Sequence, residues 1–348
     1  MEGPGIVVLF GSGEIAPNAQ RVYDWVMRQL EPPIRVSVLE TPAGFELNSG
    51  QVASRIGDYL VKRLQNYDPV IEMVPARKKG TAFSPDDPDI IEPLWRANML
   101  FMGPGSPTYA VRQLENSLAW HALLARHRLG AAVALASAAT ISVGAYALPV
   151  YEIYKVGQDI HWKKGLNFFE PFGLSPLFVP HWNNNEGGED LDTSRCFMGK
   201  SRFHELSKML PEEQLVVGID EHTALVMDMA AKTCRVLGVG AVTIRRGEEQ
   251  RRYETGQDFS MSEFCDYRLP KEHAGIPDAV WEQALEEQAR LEQKSTPEPP
   301  AEVTELVAKR EEARAEQDWE TADAIRDQVA DLGWQIKDTP AGSEVEPL

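Results

Sequence analysis

Five short apolar runs punctuate the first 140 residues: 6–10, 34–39, 70–74, 98–102 and 130–137. Each is too short for a buried helix and is bounded by Gly, Pro or polar residues, so each predicts a strand. Between them, residues 17–30, 49–65, 109–114 and 118–127 read as amphipathic helices. Strands alternating with helices predict an α/β fold of three layers, a mostly parallel sheet with helices on both faces. Ligands of such sheets bind beyond the C-terminal ends of the strands. Three features converge there: the turns Gly11-Ser12-Gly13-Glu14 and Gly103-Pro104-Gly105, and Ser137.

After residue 148 the pattern loosens. Residues 151–156 alternate weakly, 174–180 form an apolar run that ends at His181, and 201–210 predict a helix. The runs 215–219, 224–229 and 235–244 are separated by the turns Asp220-Glu221 and Ala230-Ala231-Lys232. They predict antiparallel strands that extend the sheet at one edge. A helix is expected over 278–294, then a Pro-rich linker at 295–300. Residues 303–315 and 319–332 predict a helical hairpin, with Asp318 as N-cap and Gly333 at the C-terminal cap. Its apolar stripe is Trp319, Ala322, Ile325, Val329 and Leu332. The expected division is an α/β domain at 1–275, a helix and linker at 276–301, a helical hairpin at 302–342 and a flexible tail at 343–348.

Composition narrows the function classes. The chain has 348 residues, 43% of them hydrophobic, enough for one large domain or two smaller ones. Its net charge of −18 argues against a phosphate-binding surface, because non-specific nucleic-acid affinity comes mostly from Lys and Arg. Cys196, Cys234 and Cys265 are odd in number and widely spaced, which predicts neither a disulfide framework nor a zinc site. No apolar run approaches the roughly 18 residues of a membrane span. The N-terminus enters a strand with no basic leader, so a cytoplasmic protein that does not engage membranes is expected.

Ser137 is the leading candidate for chemistry. It ends an apolar strand and opens a small-residue helix, Ala138-Ala139-Thr140-Ile141-Ser142. A sharp strand-to-helix turn lifts a serine hydroxyl above a sheet. An activated serine needs a base and a group that orients the base. Of the 7 histidines, His181 is the best base, since it follows a strand and precedes the polar loop Asn183-Asn184-Asn185-Glu186. His161, His204 and His222 are rivals. Glu221, in a turn between apolar runs, is the favoured acid, and Glu152 is the alternative. Ala138 and one of Gly103 or Gly105 are placed to donate oxyanion-hole amides, Pro104 having none. Glu14, Asn183 and Asn184 are expected at the cleft mouth.

These motifs carry a resemblance. In order they are Gly11-Ser12-Gly13-Glu14, Thr41-Pro42-Ala43, Phe101-Met102-Gly103-Pro104-Gly105, Ala136-Ser137-Ala138, Pro180-His181 and Gly218-Ile219-Asp220-Glu221-His222-Thr223-Ala224-Leu225. Over residues 5–245 the chain resembles the dipeptidase E and cyanophycinase serine peptidases, within the class I glutamine amidotransferase-like superfamily. The resemblance implies a flavodoxin-like fold, Ser137 as nucleophile and His181 as base. It implies hydrolysis of small peptides, often beside an aspartyl residue, through an acyl-enzyme and without metal or organic cofactor. This chain has Leu135 and Ala139 where that family's elbow carries glycine, and Pro104 where consecutive glycines are usual.

The tail resembles a different protein. Arg310-Glu311-Glu312-Ala313-Arg314, residues 318–327, Leu332-Gly333-Trp334 and Asp338-Thr339-Pro340 resemble the C-terminal helical segment of bacterial cysteinyl-tRNA synthetases. The synthetase's catalytic signatures are absent, so a functional aminoacyl-tRNA synthetase is not expected. Over 302–348, 13 acidic side chains against 5 basic ones leave a charge of −8, which disfavours direct RNA binding. Three readings result: a serine hydrolase of small peptides or amides, an inactive relative that binds or assembles, and a tRNA-linked accessory protein. In the second, the hairpin mediates self-association or docks a protein partner.

Overall fold

The computed structural model describes residues 3–295, 299–339 and 342–348. The chain divides into two compact units, 1–285 and 286–348.

The first unit is built on the expected parallel strands: β1 (Ile6–Phe10), β2 (Arg35–Leu39), β3 (Val70–Val74), β4 (Met99–Met102) and β5 (Ala132–Ala136). Helices connect them: α1 (Ala19–Met27), α2 (Ser49–Arg63), α3 (Pro88–Arg96), α4 (Pro107–Leu114) and α5 (Leu118–Arg128). Helix α3 is not marked by the hydrophobic pattern. It starts after Asp87, whose side chain accepts from the Asp89 amide, and it holds Pro88 in its first turn and Pro93 inside. Those prolines mask it, because the first is tolerated in a first turn and the second weakens the helical reading.

The alternation within the strands sorts side chains to two buried faces. Val7, Leu9, Val133 and Leu135 enter one core with Ile91, Leu94 and Trp95 of α3. Ile6, Val8, Phe10 and Ala134 enter the other with Val22, Tyr23 and Val26 of α1. Burial on both faces explains why these strands read as continuous apolar runs.

Three further strands, β10 (Thr223–Asp228), β11 (Thr233–Gly238) and β14 (Asp258–Ser260), complete an eight-stranded sheet in the order β14-β11-β10-β1-β5-β4-β2-β3. Strand β10 runs antiparallel beside β1, pairing Leu9 with Leu225. The predicted edge extension is therefore correct for 224–229 and for 235–238, but not for 215–219 or 241–244. Residues 235–244 form two strands, not one, broken at Val239 and Gly240. The second of them, β12 (Ala241–Arg246), joins β13 (Glu249–Glu254), β9 (Val216–Ile219) and β8 (Leu177–Val179) in a separate sheet ordered β13-β12-β9-β8. A Cβ on Gly240 would lie 2.7 Å from the Asp220 Cβ, so glycine is what lets the chain cross between sheets there. Residues 151–156 do not form a strand either: Tyr151–Lys155 is a wide helical turn. A short helix, α6 (Ala138–Ser142), follows β5, and α7 (Gly199–Ser207) covers the second sheet through Phe203 and Leu206.

In the second unit, α9 (Ala301–Ala315) and α10 (Trp319–Asp331) form the predicted hairpin. Val303, Ile325, Val329 and Trp334 make its core. The apolar stripe is only half used. Ala322, Ile325 and Val329 are buried, while Trp319 and Leu332 are exposed. The expected flexible tail is instead a strand: Trp334–Thr339 and Gly342–Pro347 pair as an antiparallel hairpin. Arg310, 3% exposed, reaches both Asp338 oxygens at 2.9 and 3.0 Å, and Arg314 and Arg326 reach the same carboxylate.

Candidate active site

Strand β5 delivers Ser137 to the C-terminal edge of the large sheet. The residue turns at φ 53° and ψ −109°, outside the ordinary regions for a side-chain-bearing residue. Such a conformation costs about 1–3 kcal/mol and persists only where the surroundings impose it. Here Ser137 N donates to Phe10 O at 3.4 Å, and the Thr140 hydroxyl lies 3.0 Å from the carbonyl oxygens of both Phe10 and Leu135. The turn is thus tied down on both sides by the ends of β1 and β5. Leu135 and Ala139 do not prevent it. Both are fully buried in the core beneath the turn.

His181 follows β8 in the second sheet, also at positive φ, and its amide donates to Gly11 O at 3.1 Å. That bond joins the two sheets at the site. The Ser137 Oγ lies 3.0 Å from His181 Nε2, and Glu221 Oε1 lies 2.9 Å from His181 Nδ1. Ser137, His181 and Glu221 are therefore brought into one hydrogen-bonded line. The hydrogen bond from His181, assisted by one from Asn184, holds the Glu221 carboxyl below the usual carboxylate range against its partial burial.

Glu152 is placed elsewhere. It accepts from the Thr108 hydroxyl at 2.5 Å, whereas the carboxylate oxygen at His181 Nδ1 belongs to Glu221. Of the two asparagines expected at the cleft mouth, Asn183 is exposed and Asn184 is buried. Asn184 Nδ2 donates to Glu221 Oε1 at 2.9 Å, and Asn183 Oδ1 accepts from the Glu221 amide at 2.8 Å. Asn184 is buried against the Glu221 carboxylate, while Asn183 stays exposed and holds the Glu221 main chain. Among the rival histidines, His161 bonds the Asp159 carbonyl, and His204 is exposed on α7. His222 adjoins the site from the rear: its amide donates to Ser12 Oγ at 3.2 Å, and its carbonyl accepts from Asn18 Nδ2 at 2.8 Å. A Cβ on Gly13, φ 75°, would lie 2.4 Å from the His222 ring, so only glycine fits there.

The Gly103-Pro104-Gly105 turn packs on the short helical turn Thr41–Ala43. Ser106 N donates to Pro42 O at 2.9 Å, and a Cβ on Gly105 would sit 2.0 Å from that oxygen. Gly105 thus serves the close approach of two backbones. The Ala138 amide, in the first turn of α6, has no intrahelical acceptor. A cavity of about 100 Å³ opens beside the turn, with Glu14, Gly103 and Pro104 in its wall. Burial pushes the Glu14 carboxyl up, opposed by its own backbone hydrogen bond and by the nearby His181 and His222 rings.

One feature carries no sequence signal. Arg195, Cys196 and Phe197 are three consecutive residues at positive φ. Their segment folds back on the histidine loop: Cys196 N donates to His181 O, Arg195 N donates to Trp182 O, and the Phe197 ring lies 5.9 Å from the His181 ring. Burial pushes the Cys196 thiol up to about 12, so it is inert beside the histidine. Among the described residues no group of His, Cys, Asp and Glu is arranged to hold a metal ion, and no helix is long and apolar enough to cross a membrane.

Comparison with known proteins divides along the chain. The crystal structure of a peptidase from an acI-B1 Actinobacterium superposes with a TM-score of 0.60 at 20% identity, covering 74% of this chain and 98% of that one. Residues 296–345 match the family model of the cysteinyl-tRNA ligase anticodon binding domain. The cysteine–tRNA ligase of Chlamydia felis is 52% identical over 58 residues, and that of Chlamydia caviae 51% over 49 residues. Those matches cover 17% and 14% of this chain, and only 12% and 10% of the ligases. The chain therefore spans about a tenth of the length of these curated relatives. It combines an α/β fold shared with a peptidase and a C-terminal segment similar to the ligase's anticodon binding domain.

Proposed function

We propose that the first unit is a serine-type hydrolase of small peptides or amides, with Ser137 as nucleophile, His181 as base and Glu221 as the residue that orients His181. The observation that carries this reading is the continuous line Ser137 Oγ–His181 Nε2, 3.0 Å, and His181 Nδ1–Glu221 Oε1, 2.9 Å. Attack of Oγ on the substrate carbonyl carbon forms the C–O bond while His181 Nε2 takes the hydroxyl proton. The amides of Ala138 and of Gly103 or Gly105 are the donors for the resulting oxyanion. Collapse breaks the C–N bond, and His181 returns its proton to the leaving amine. A water molecule then repeats the sequence on the acyl-enzyme, releasing the acid and restoring Ser137. Glu221, already ionised below the usual range, stabilises the imidazolium in both steps.

Labelling with a fluorophosphonate serine probe tests this directly. Wild type is expected to label at Ser137, and Ser137→Ala and His181→Ala to abolish it. A folded wild-type protein that resists the probe would exclude an activated serine and leave the binding or assembly reading. The match of residues 296–345 favours one additional role, a link to tRNA through the second unit. Its charge of −8 over 302–348 opposes that role. Filter binding of the full chain to bulk tRNA in low salt decides it, with retention expected only if the link is real.

A further inference from the structure

We infer that Glu14 receives the free ammonium group of the substrate's acyl residue, so that the site takes small peptides or amides beginning with a neutral aliphatic residue. This rests on the hydrolase reading above and adds the substrate class to it.

The main chain of Glu14 is fixed. The Tyr23 hydroxyl, from a fully buried side chain, donates to Glu14 O at 3.0 Å. The preceding Gly13 lies against the His222 ring, and Ser12 Oγ accepts from the His222 amide. The turn that carries Glu14 is thereby joined to the turn that carries Glu221. On its other side Glu14 lines the cavity that begins at Gly103 and Pro104. Glu14 thus shares a cavity wall with the turn proposed to bind the oxyanion and lies near the His181 ring, so the α-carbon substituents of an acyl group on Ser137 would face it.

Its charge is offset only by its own backbone hydrogen bond and by the field of the His181 and His222 rings. Among the described residues no Lys, Arg or His forms an ion pair with the Glu14 carboxylate, whereas Glu40, in the same cavity wall, is held by Arg77 at 2.6 Å and by the Ser49 hydroxyl at 3.1 Å. A half-buried carboxylate without a cation is costly, and an incoming ammonium removes that cost. Apart from Ser49 and Arg55, the remaining wall is apolar. Val38, Val52, Ala53, Ile56 and Phe101 line this cavity of roughly 100 Å³, an apolar surface suited to an aliphatic side chain. Arg55 also borders the cavity, as an exposed side chain of α2.

Calorimetric titration of the full chain with valinamide and with N-acetylvalinamide, at about pH 6.5 where the amine is protonated, tests the inference without requiring turnover. Valinamide is expected to bind at least about 10-fold more tightly than its N-acetyl form. Glu14→Gln is expected to weaken valinamide by about 10- to 100-fold, the span of one charge-assisted hydrogen bond. Equal binding of the two amides, binding of neither, or valinamide binding unaffected by Glu14→Gln overturns the inference. So does tighter binding of aspartic acid α-amide than of valinamide, which would assign the cavity to Arg55. If Glu14→Gln fails to fold, the wild-type comparison alone decides. Amine binding through Glu14 in a protein whose Ser137 resists the fluorophosphonate probe would sink the hydrolase reading and leave Glu14 as an amine-binding site without the acyl-residue role. Labelling of Ser137 without valinamide binding would spare the hydrolase reading and overturn this inference.

Discussion

Glu221→Gln isolates charge from geometry at the site. Glutamine keeps an oxygen that can accept from both His181 Nδ1 and Asn184 Nδ2, the two bonds made at 2.9 Å by Glu221 Oε1. What is lost is the negative charge facing the imidazolium that forms during attack. Two unit charges about 4 Å apart interact by about 4 kcal/mol at an effective dielectric of about 20. The Glu221 side chain is 26% exposed, so water screens part of this. Halving it leaves about 2 kcal/mol, or about 30-fold in rate. The assay is the second-order rate constant of fluorophosphonate labelling, with Glu152→Gln as the comparison. Glu221→Gln is expected to slow labelling about 30-fold, and Glu152→Gln, whose carboxylate bonds Thr108, to leave it unchanged. The reverse order would refute the assignment of Glu221, and equal rates in all three proteins would refute the electrostatic argument itself.

Three further predictions concern packing, an ion pair and pH. A Cβ on Gly218 would lie 2.3 Å from Trp182 Cδ2, so Gly218→Ala should cost about 1–3 kcal/mol by overpacking the strand beneath the histidine loop, read as a lowered urea midpoint. In the second unit, Arg310→Leu removes both bonds to Asp338 and should cost that unit about 1.5–3 kcal/mol in thermal unfolding of the full chain. The Arg310 hydrogen bonds hold the Asp338 carboxyl well below the usual range. A depressed folded-state value means the stabilisation is complete above the ordinary carboxylate range and is lost as pH falls through the folded value. Unfolding of the second unit should therefore become pH-dependent on acidification below about pH 4 in wild type and less so in Arg310→Leu.

Much of the site was legible because its signals are local. Ser137 stands where an apolar strand meets a small-residue helix, and His181 and Glu221 each end an apolar run. Strands β1, β2, β4 and β5 could be read because both of their faces are buried, and the edge strand β3, only partly buried, from its short apolar run. The remainder depends on contacts between distant segments. Whether Glu221 or Glu152 faces His181 is decided by Asn183 and Asn184, which the polar loop alone cannot orient. The split of 235–244 between two sheets turns on Gly240, whose need for space appears only beside Asp220. The positive-φ segment Arg195-Cys196-Phe197 violates the preference of its own residues, and carbonyls of His181 and Trp182 impose it. The tail misled for a simpler reason. Residues 334–339 gain their strand partner only from 342–347, a polar stretch with little pattern of its own.

Leu135 and Ala139 pose a sharper question, because the resembling peptidases carry glycine at both positions. Glycine at a nucleophile elbow permits close approach of strand and helix. Here the approach is achieved otherwise, through Thr140 bridging Phe10 and Leu135 carbonyls, and the larger side chains fill the core below. The glycine elbow should therefore be worse in this chain, not better. Leu135→Gly deletes a fully buried side chain that packs in the same core as Leu9 and Met102. The cavity costs about 2–5 kcal/mol and the added backbone freedom about 0.5–1 kcal/mol. Ala139→Gly, inside α6, should cost only the smaller sum. Neither should accelerate fluorophosphonate labelling of the folded protein. Faster labelling of Leu135→Gly at undiminished urea stability would show that Leu135 obstructs the elbow, and that the strained turn at Ser137 is held in spite of its neighbours, not by them.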